Sequence, residues 1–478
     1  MMCIPCFCDA YLFKDSERFE ETYLTLVMAS LPVLIVLEQA HVSPPPATVG
    51  DRSLPLSFFD IAWLPQPPVH FLFFYEFPLS KAQFVETVVP TLKTSLSTSL
   101  QHFYPFAGNL IIYPSCTNNP EIRHQEGDAV NIMIAESSLD FKDLVGNHPR
   151  DCEKFYPLIP QLGHAVKVFD YTTIPVFSIQ VTLFPNCGVS IGMTNHHCLG
   201  DASTRMCFLN AWTSIARSGS GESFLSNGTL PFYDRVIKHP ALDEIYLKQA
   251  KVETFGEDYK PPCLSGPSDK VRATFMLTRS IVNQMKKWVS TQLPTLPHVS
   301  SFIVVCAYIW SSIAKLRNDE LELFGFVIDC RARLVPEIPS AYFGNCLVPC
   351  MKMAKTNLLT EKEGFVTAAK LLGEKLYEML NDKDGIMKDA KTWFDFSFEE
   401  MPTTIIGVSG TPRLQFYDTD FGWGKPKKHE TISNDYSGSF SMNASKESSD
   451  DLEIGVSLPA IEMDAFIPIF NAGLENYI

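Results

Sequence analysis

Gly192-Met-Thr-Asn-His-His-Cys-Leu-Gly-Asp-Ala-Ser-Thr204 is the stretch on which the reading of this chain turns. Upstream, residues 177–184 are rich in Val, Ile, Phe and Thr and predict a strand. Pro185-Asn-Cys-Gly188 supplies a turn, and residues 189–195 predict the returning strand. Downstream, Met206, Leu209, Trp212, Ile215 and Ala216 recur at helical spacing, with Phe208 beside them. His197 therefore falls where a strand gives way, through a short loop, to a helix, and Asp201 falls at the helix start. An imidazole on a rigid platform with one open side suits a general base. Plainer readings stand beside this one. Asp201 before Ala202, Ser203 and Thr204 is a good N-cap, and capping alone would account for it. A lone histidine in a β-hairpin is commonly structural. His196-His197-Cys198 suggests a metal, but adjacent residues rarely ligate one ion together. No second Cys/His cluster at metal spacing follows, so no metal site is expected.

Composition narrows the classes. The 478 residues are 46% hydrophobic and 19% charged, which fits two or three domains with sizeable cores. The formal net charge of −15 argues against a nucleic-acid partner, although a local Lys/Arg cluster can still hold an anionic small molecule. Thirteen scattered cysteines, an odd number, read as reduced thiols of an intracellular compartment. The most apolar run, residues 23–37, is short of a membrane span and contains Pro32, and the acidic residues before it do not suit a signal peptide.

Residues 1–27 read as an N-terminal extension, expected to be disordered, with Met28 a plausible alternative start. A first domain, residues 28–221, carries strands at 33–36 and 69–75. It also carries a helix opened by Ser80 and broken at Pro90, and a second helical face of Leu92, Leu96, Leu100 and Phe103. Residues 222–268, punctuated by five prolines, read as a crossover. A second domain, residues 269–478, has a strand at 271–277 and a helix capped by Thr278. Ser300 and Ser301 then open an all-apolar, buried helix. A strand at 321–329 follows, then a capping box at Thr360-Glu-Lys-Glu363, strands at 404–409 and 452–458, and a final helix at 463–470. Strands and helices alternate in both halves, so the fold class is mixed α/β or α+β.

His197-Cys-Leu-Gly-Asp201, with Asp420-Phe-Gly-Trp-Gly424 some two hundred residues later, resembles the BAHD acyl-CoA-dependent acyltransferases. The resemblance runs from about residue 28 to the end, and Tyr342-Phe-Gly-Asn-Cys346 looks like the branch that acylates anthocyanin, flavonoid and simpler phenolic glycosides. It implies two chloramphenicol-acetyltransferase-like domains, each a mixed sheet with helices, with the active-site channel at their interface. It further implies a cytosolic monomer that needs no metal and no tightly bound cofactor. Malonyl-CoA is the expected co-substrate and a glycoside the acceptor, with no nucleic-acid or membrane partner. On this reading His197 is the general base and Asp420 a second catalytic candidate, although a structural role is favoured for Asp420, since an Asp in a Gly-bracketed loop commonly caps backbone amides, while Asp201, Gly422, Trp423 and Gly424 shape the site. The resemblance also assigns Asp201 an arginine partner. Trp423, whose indole N–H can only donate, is a candidate for the oxyanion. A Cys198 nucleophile is conceivable from its position, but the resemblance speaks against it. Ser300, Ser301, Arg331 and Arg333 are candidate CoA or malonyl contacts, because helix N-termini and Arg forks suit anions; an ion pair with Asp329 accounts equally well for the arginines. Lys425, Lys427 and Lys428 are either a steering patch or a solvated loop. The leading function is malonyl transfer to a sugar hydroxyl. The alternatives are an aromatic or other aliphatic donor on the same fold, or a non-catalytic homologue that binds metabolites.

Overall fold

The apolar runs around His197 form the centre of a sheet. In the computed structural model, which describes residues 33–113, 119–221, 230–250, 259, 264–265, 268–382, 384–393 and 405–477, Phe177–Phe184 (β10) and Gly188–Asn195 (β11) pair antiparallel. Every residue of both strands is buried: Ile179, Val181, Ile191 and Met193 lie on an apolar face, and the alternating Ser178, Gln180, Thr182, Ser190 and Thr194 lie on the other face, which is also covered. With Leu34–Val42 (β1), Val69–Tyr75 (β3), Val130–Ser137 (β6) and Lys428–Thr431 (β16) they build a six-stranded sheet ordered β1-β6-β10-β11-β3-β16.

A seven-stranded sheet holds most of the second half. It comprises Arg150–Asp151 (β7), Lys270–Leu277 (β12), Leu321–Asp329 (β13), Leu347–Lys355 (β14), Ile405–Ser409 (β15), Phe440–Ala444 (β17) and Leu452–Pro459 (β18), ordered β14-β13-β15-β17-β18-β12-β7. A five-stranded sheet flanks the first half, from Arg52–Pro55 (β2), Asn109–Ile112 (β4), Glu121–His124 (β5), Val166–Val168 (β8) and Tyr171–Pro175 (β9). The mixed α/β class holds.

The halves exchange strands, which the sequence reading did not anticipate. Strand β16 comes from the second half and completes the first sheet beside β3; β7 comes from the first half and edges the second sheet beside β12. Buried ion pairs join the exchanged strands. Arg150 Nη1 lies 2.8 Å from Glu430 Oε1, and Arg272 Nη1 lies 3.2 Å from Glu430 Oε2. Residues 1–27, and much of the 222–268 crossover, lie outside the described residues.

The helices are Val89–Leu100 (α1), Ala202–Ser218 (α2), Pro240–Gln249 (α3), Arg279–Gln292 (α4), Ser301–Ala314 (α5), Gly364–Asn381 (α6) and Ala460–Leu474 (α7), besides single turns. Two local expectations fail. Pro90 does not break the chain's helical path, because a π-helical turn at Phe84–Val88 leads into α1 and Pro90 sits in its first turn, where no N–H is needed. The capping box at Thr360 does not form: Thr356–Thr360 is its own short helix, and α6 starts later, after Glu363 with no side-chain cap. Both misses come from how neighbouring elements pack, which the local pattern does not carry.

Candidate active site

Strand β11 ends at Asn195, and a single 3₁₀ turn, His197–Leu199, leads to α2. His196, at the turn's N-cap, is extended (φ −63°, ψ 134°), and its Nδ1 accepts the Cys198 N–H at 3.4 Å. That turn swings His197 off the buried strand into a half-buried position. Its ring lies parallel to the Trp63 indole, 4.0 Å between centroids and 10° between planes. Nδ1 is sealed from solvent without a partner, whereas Nε2 keeps access. The His197 carbonyl accepts from Asn345 Nδ2 at 3.1 Å. Asn345 is held in turn by Asp60, whose Oδ1 accepts from the Asn345 backbone N–H at 2.7 Å and from Nδ2 at 3.1 Å.

Asp201 serves both roles that its sequence position suggested. Oδ1 accepts the Thr204 N–H at 3.1 Å and caps α2; Oδ2 accepts Arg331 Nη1 at 2.8 Å and the Cys346 N–H at 3.2 Å. Arg331 also reaches Asp329 Oδ2 at 3.2 Å and the carbonyls of Tyr342 and Gly344 at 3.2 and 3.1 Å. Only Nε is left, and it is buried. Arg331 therefore has no donors to spare for a phosphate or an acyl carboxylate, and that assignment is withdrawn. Tyr342-Phe-Gly-Asn-Cys346 is thus the strap by which the second half clamps the His197 turn. Gly344 is fixed by geometry: its φ is +126°, and a Cβ there would lie 3.0 Å from both Arg235 Nη1 and Asp60 Oδ1.

The other candidates lie elsewhere. Register pairs Val189 with Tyr75 and Asn195 with Val69, so Tyr75 sits six residues, about 20 Å, along the sheet from the His197 end. Asp420-Phe-Gly-Trp-Gly424 is anchored at the Tyr75 end. Trp423 packs on Phe77 (5.4 Å, 12°) and edge-on to Tyr75 (5.4 Å, 89°), and the Tyr75 hydroxyl donates to the Thr419 carbonyl at 3.1 Å. Asp420 Oδ1 accepts the N–H groups of Gly422 and Gly424 at 2.7 and 2.9 Å, and Oδ2 lies 3.9 Å from Arg217, near the far end of α2. Neither Asp420 nor Trp423 is placed to exchange a proton with substrate at His197 or to hold its oxyanion. The reason is topological: the loop leads into β16, which enters the sheet from the opposite end.

Ser300 is engaged as the N-cap of α5, accepting the Ile303 N–H at 3.1 Å, with Ser301 the first residue of that helix. Arg333 is exposed and donates to the Asp329 carbonyl at 2.9 Å. Lys425 and Lys427 pair with Asp418 at 2.8 Å and Glu76 at 3.7 Å. Lys428 is no surface residue: it is buried and donates to Asn147 Oδ1 at 2.7 Å. Among the described residues, no group of three or more His, Cys, Asp or Glu side chains could hold a metal ion.

What the sequence reading missed is Arg205, one turn beyond Asp201 on α2. Its Nη1 donates to the Gly200 carbonyl at 3.1 Å, and its guanidinium carbon lies 5.8 Å from the Phe71 ring centroid. It makes no ion pair with any described carboxylate, although it is partly accessible and close enough to His197 to shift its titration. Trp63 and Asp60 carried no signal either, being single residues far away in sequence. Arg205 carried a faint one, its i,i+4 spacing from Asp201.

Burial is the main reason the His197 pKa falls to about 3, with repulsion from Arg205 adding to it and the Asp201 charge opposing it. The ring is therefore neutral at pH 7, as a base must be. Burial pushes the Cys198 thiol well above its usual range, so it offers no thiolate.

Three buried histidines and the half-buried His197 give the molecule a specific acid response. His70 and His196 are lowered to about 4, and His197 and His429 to about 3. Above about pH 6.5 the folded and unfolded chains both hold these rings neutral, and they contribute nothing. Below it the unfolded chain takes up protons that the folded chain refuses until near pH 4, so stability is lost as pH falls, by up to about 1.4 kcal/mol per ring per pH unit. The melting temperature is expected to drop steeply between pH 6.5 and 4.5 in scanning calorimetry; a flat profile across that window would contradict these burial assignments. Glu430, lowered to about 2 despite burial by Arg150, Arg272 and Lys428, contributes stability above about pH 4.5 and loses it only on further acidification.

Comparison with known proteins follows the same lines. The model of the Transferase family matches residues 35–471. The malonyl-coenzyme A:anthocyanin 3-O-glucoside-6''-O-malonyltransferase of Dahlia pinnata is 54% identical over 463 residues, covering 94% of this chain and 100% of that one. The malonyl-coenzyme:anthocyanin 5-O-glucoside-6'''-O-malonyltransferase of Salvia splendens is 41% identical, covering 92% of this chain and 95% of that one. Among solved structures, vinorine synthase matches with a TM-score of 0.63 at 20% identity, covering 90% of this chain and 96% of that one, which shows a shared fold. No helix among the described residues is long and apolar enough to cross a membrane.

Proposed function

This chain belongs to the Transferase family, the BAHD acyltransferases, and from that premise we propose that it moves a malonyl group from malonyl-CoA to a sugar hydroxyl of a phenolic or flavonoid/anthocyanin glucoside. The observation that carries the donor assignment is Arg205, a cation without a carboxylate partner beside the one accessible imidazole nitrogen of the site. A half-buried cation with no ion-pair partner favours an anion that meets it, and a malonyl thioester brings a carboxylate within two carbons of the reacting carbonyl.

In this reading His197 Nε2 takes the proton from the sugar hydroxyl while that oxygen attacks the thioester carbonyl. The C–S bond then breaks, and the CoA thiolate takes the proton back from the imidazolium, giving a malonyl ester and free CoA. No covalent acyl-enzyme forms, in keeping with the buried, protonated Cys198. Trp63 stacks on the ring and holds its plane; Asn345 fixes the backbone that carries it. A carboxylate on Arg205 also removes the repulsion that depresses His197, so the anionic donor strengthens the base it is delivered to. The enzyme works as a cytosolic monomer without a tightly bound cofactor. Free thiols at every described cysteine fit a reducing compartment.

The test is competition among equal concentrations of malonyl-, acetyl- and coumaroyl-CoA for one anthocyanin glucoside, read by mass spectrometry. The wild-type enzyme should yield mainly malonyl ester. Arg205→Met should lose roughly 10- to 150-fold of the malonyl-over-acetyl preference, the worth of a charged hydrogen bond of about 1.5–3 kcal/mol. Predominant acetyl or coumaroyl ester from the wild type would overturn the donor assignment, and absence of any ester would overturn the catalytic one.

A further inference from the structure

Trp63 stands apart from its neighbours in the chain. Phe58, Phe59, Ile61 and Leu64 are buried in the core, whereas Trp63 is half-buried and, among the described residues, meets one aromatic ring, that of His197. Its backbone is fixed. The Trp63 N–H donates to the Asp60 carbonyl at 3.1 Å, and the Asp60 carboxylate accepts from the Ser57 hydroxyl at 2.8 Å and from the Asn345 backbone N–H at 2.7 Å. The indole is thus a plate on a rigid support, laid parallel to the imidazole at 4.0 Å between centroids and 10° between planes.

The reaction asks more of His197 than a fixed plane. Once Nε2 has taken the sugar proton, the ring is an imidazolium until the CoA thiolate takes that proton back. In a Ser-His-Asp triad a carboxylate meets that charge. None meets it here. The Asp201 oxygens are turned to the Thr204 N–H, to Arg331 and to the Cys346 N–H, and His197 Nδ1 is sealed without a partner. Burial first, and then Arg205, disfavour the protonated ring, and the neighbouring His196 adds to them; the dipole of the residue's own carbonyl and the Asp201 charge offset them only in part. What remains is the indole face. A cation over an aromatic face, within about 6 Å of its centroid, is attracted by the ring quadrupole, most strongly for tryptophan. The stack on His197 meets that condition. A neutral imidazole gains only ordinary stacking from it, so the attraction grows as the proton arrives. A contact of that kind lowers the barrier rather than tightening binding.

We propose that Trp63 is a positioning residue for the transfer step, its indole face holding the imidazolium that His197 becomes, in the role that a carboxylate fills in a triad. This rests on the reading of His197 as the general base. The indole bears no net charge, so it neither pairs with Arg205 nor repels an anionic acyl group, as a carboxylate beside His197 would.

Single-turnover ester formation from malonyl-CoA and one anthocyanin glucoside, both saturating, separates a charge role from a shape role. Three forms are compared: wild type, Trp63→Phe, and the protein with pentafluorophenylalanine at the same position. The last two share a shape, but fluorination reverses the sign of the ring face. The rate should fall by about 2- to 30-fold from tryptophan to pentafluorophenylalanine, the worth of a cation on an aromatic face, with phenylalanine between them. The steady-state KM of each substrate should stay within about twofold of wild type. Equal rates for phenylalanine and its fluorinated form, or a loss confined to KM, would overturn the proposal and leave His197 as the base. His197→Ala in the same assay tests the premise: near-normal ester formation there would overturn the base reading, and this proposal with it. Melting curves establish that each form folds. If Trp63→Phe does not fold, fluorotryptophan at the same position decides: slower ester formation than with tryptophan sustains the proposal, and an equal rate overturns it.

Discussion

Replacing His197 by alanine is expected to lower turnover by roughly 10²–10⁴-fold, the usual worth of a positioned general base, with the fold retained. The ring is half-buried and contributes one face of a stack to Trp63, so its removal costs packing at one edge of the core and leaves the clamp around Asp201 intact. The contrast is Asp420→Asn. Its carboxylate holds two glycine amides at the other end of the sheet, so turnover should stay within a few-fold of wild type while the melting temperature falls. Steady-state rates and melting curves on the two variants check this. Near-normal turnover in His197→Ala would remove it as the base, and a loss in Asp420→Asn as large as that in His197→Ala would restore Asp420 to the chemistry.

The second large effect is on stability. Asp201→Ala removes an N-cap and, at the same stroke, leaves Arg331 buried without its closest counter-charge. The cap alone is worth about 0.5–2 kcal/mol, whereas stripping one partner from a buried pair costs about 3–5 kcal/mol. The second term decides, because Arg331 is 4% exposed and its other strong partner, Asp329, has a largely exposed side chain. Urea unfolding should show a loss of about 3–5 kcal/mol for Asp201→Ala, and the double variant Asp201→Ala with Arg331→Met should recover part of it. A loss below about 1 kcal/mol, or no recovery, would mean that the cap is the whole contribution. Such a change would also loosen Tyr342–Cys346, since Arg331 donates to the Tyr342 and Gly344 carbonyls.

The strand–turn–helix unit around His197 was legible because each piece is specified locally. Strand-prone Val, Ile, Thr and Phe set β10 and Val and Ile set β11, Asn186 takes the left-handed turn, and Asp201 caps a helix whose apolar face repeats at 3.6 residues. Caps at Thr278 and Ser300 were read correctly for the same reason: a side-chain oxygen three residues before an N–H is a local signal. The two-motif resemblance supplied what periodicity could not, namely the family and an arginine partner for Asp201. The favoured structural reading of the second motif, an aspartate capping the amides of its own glycines, matches its hydrogen bonds, whereas the catalytic alternative for Asp420 and the oxyanion role for Trp423 do not, because a shared motif says that two loops matter without saying that they meet.

The sequence by itself, then, determined the mixed α/β class, the platform under His197, the cap at Asp201 and the membership in an acyltransferase family. Tertiary structure alone decided which distant residues face that platform: Trp63 against the ring, Asp60 and Asn345 behind its carbonyl, and Arg331 on Asp201. The division has one physical cause. Backbone hydrogen bonding and helical periodicity act over a few residues, so they are written in the local pattern. The contacts that tune charge and donor geometry join residues far apart in the chain, 285 positions for Asp60 and Asn345, just as the strand exchange carries β16 into the first sheet beside β3. No local pattern encodes that exchange, because its stabilisation comes from burying Glu430 between Arg150 and Arg272, three residues from three separate strands.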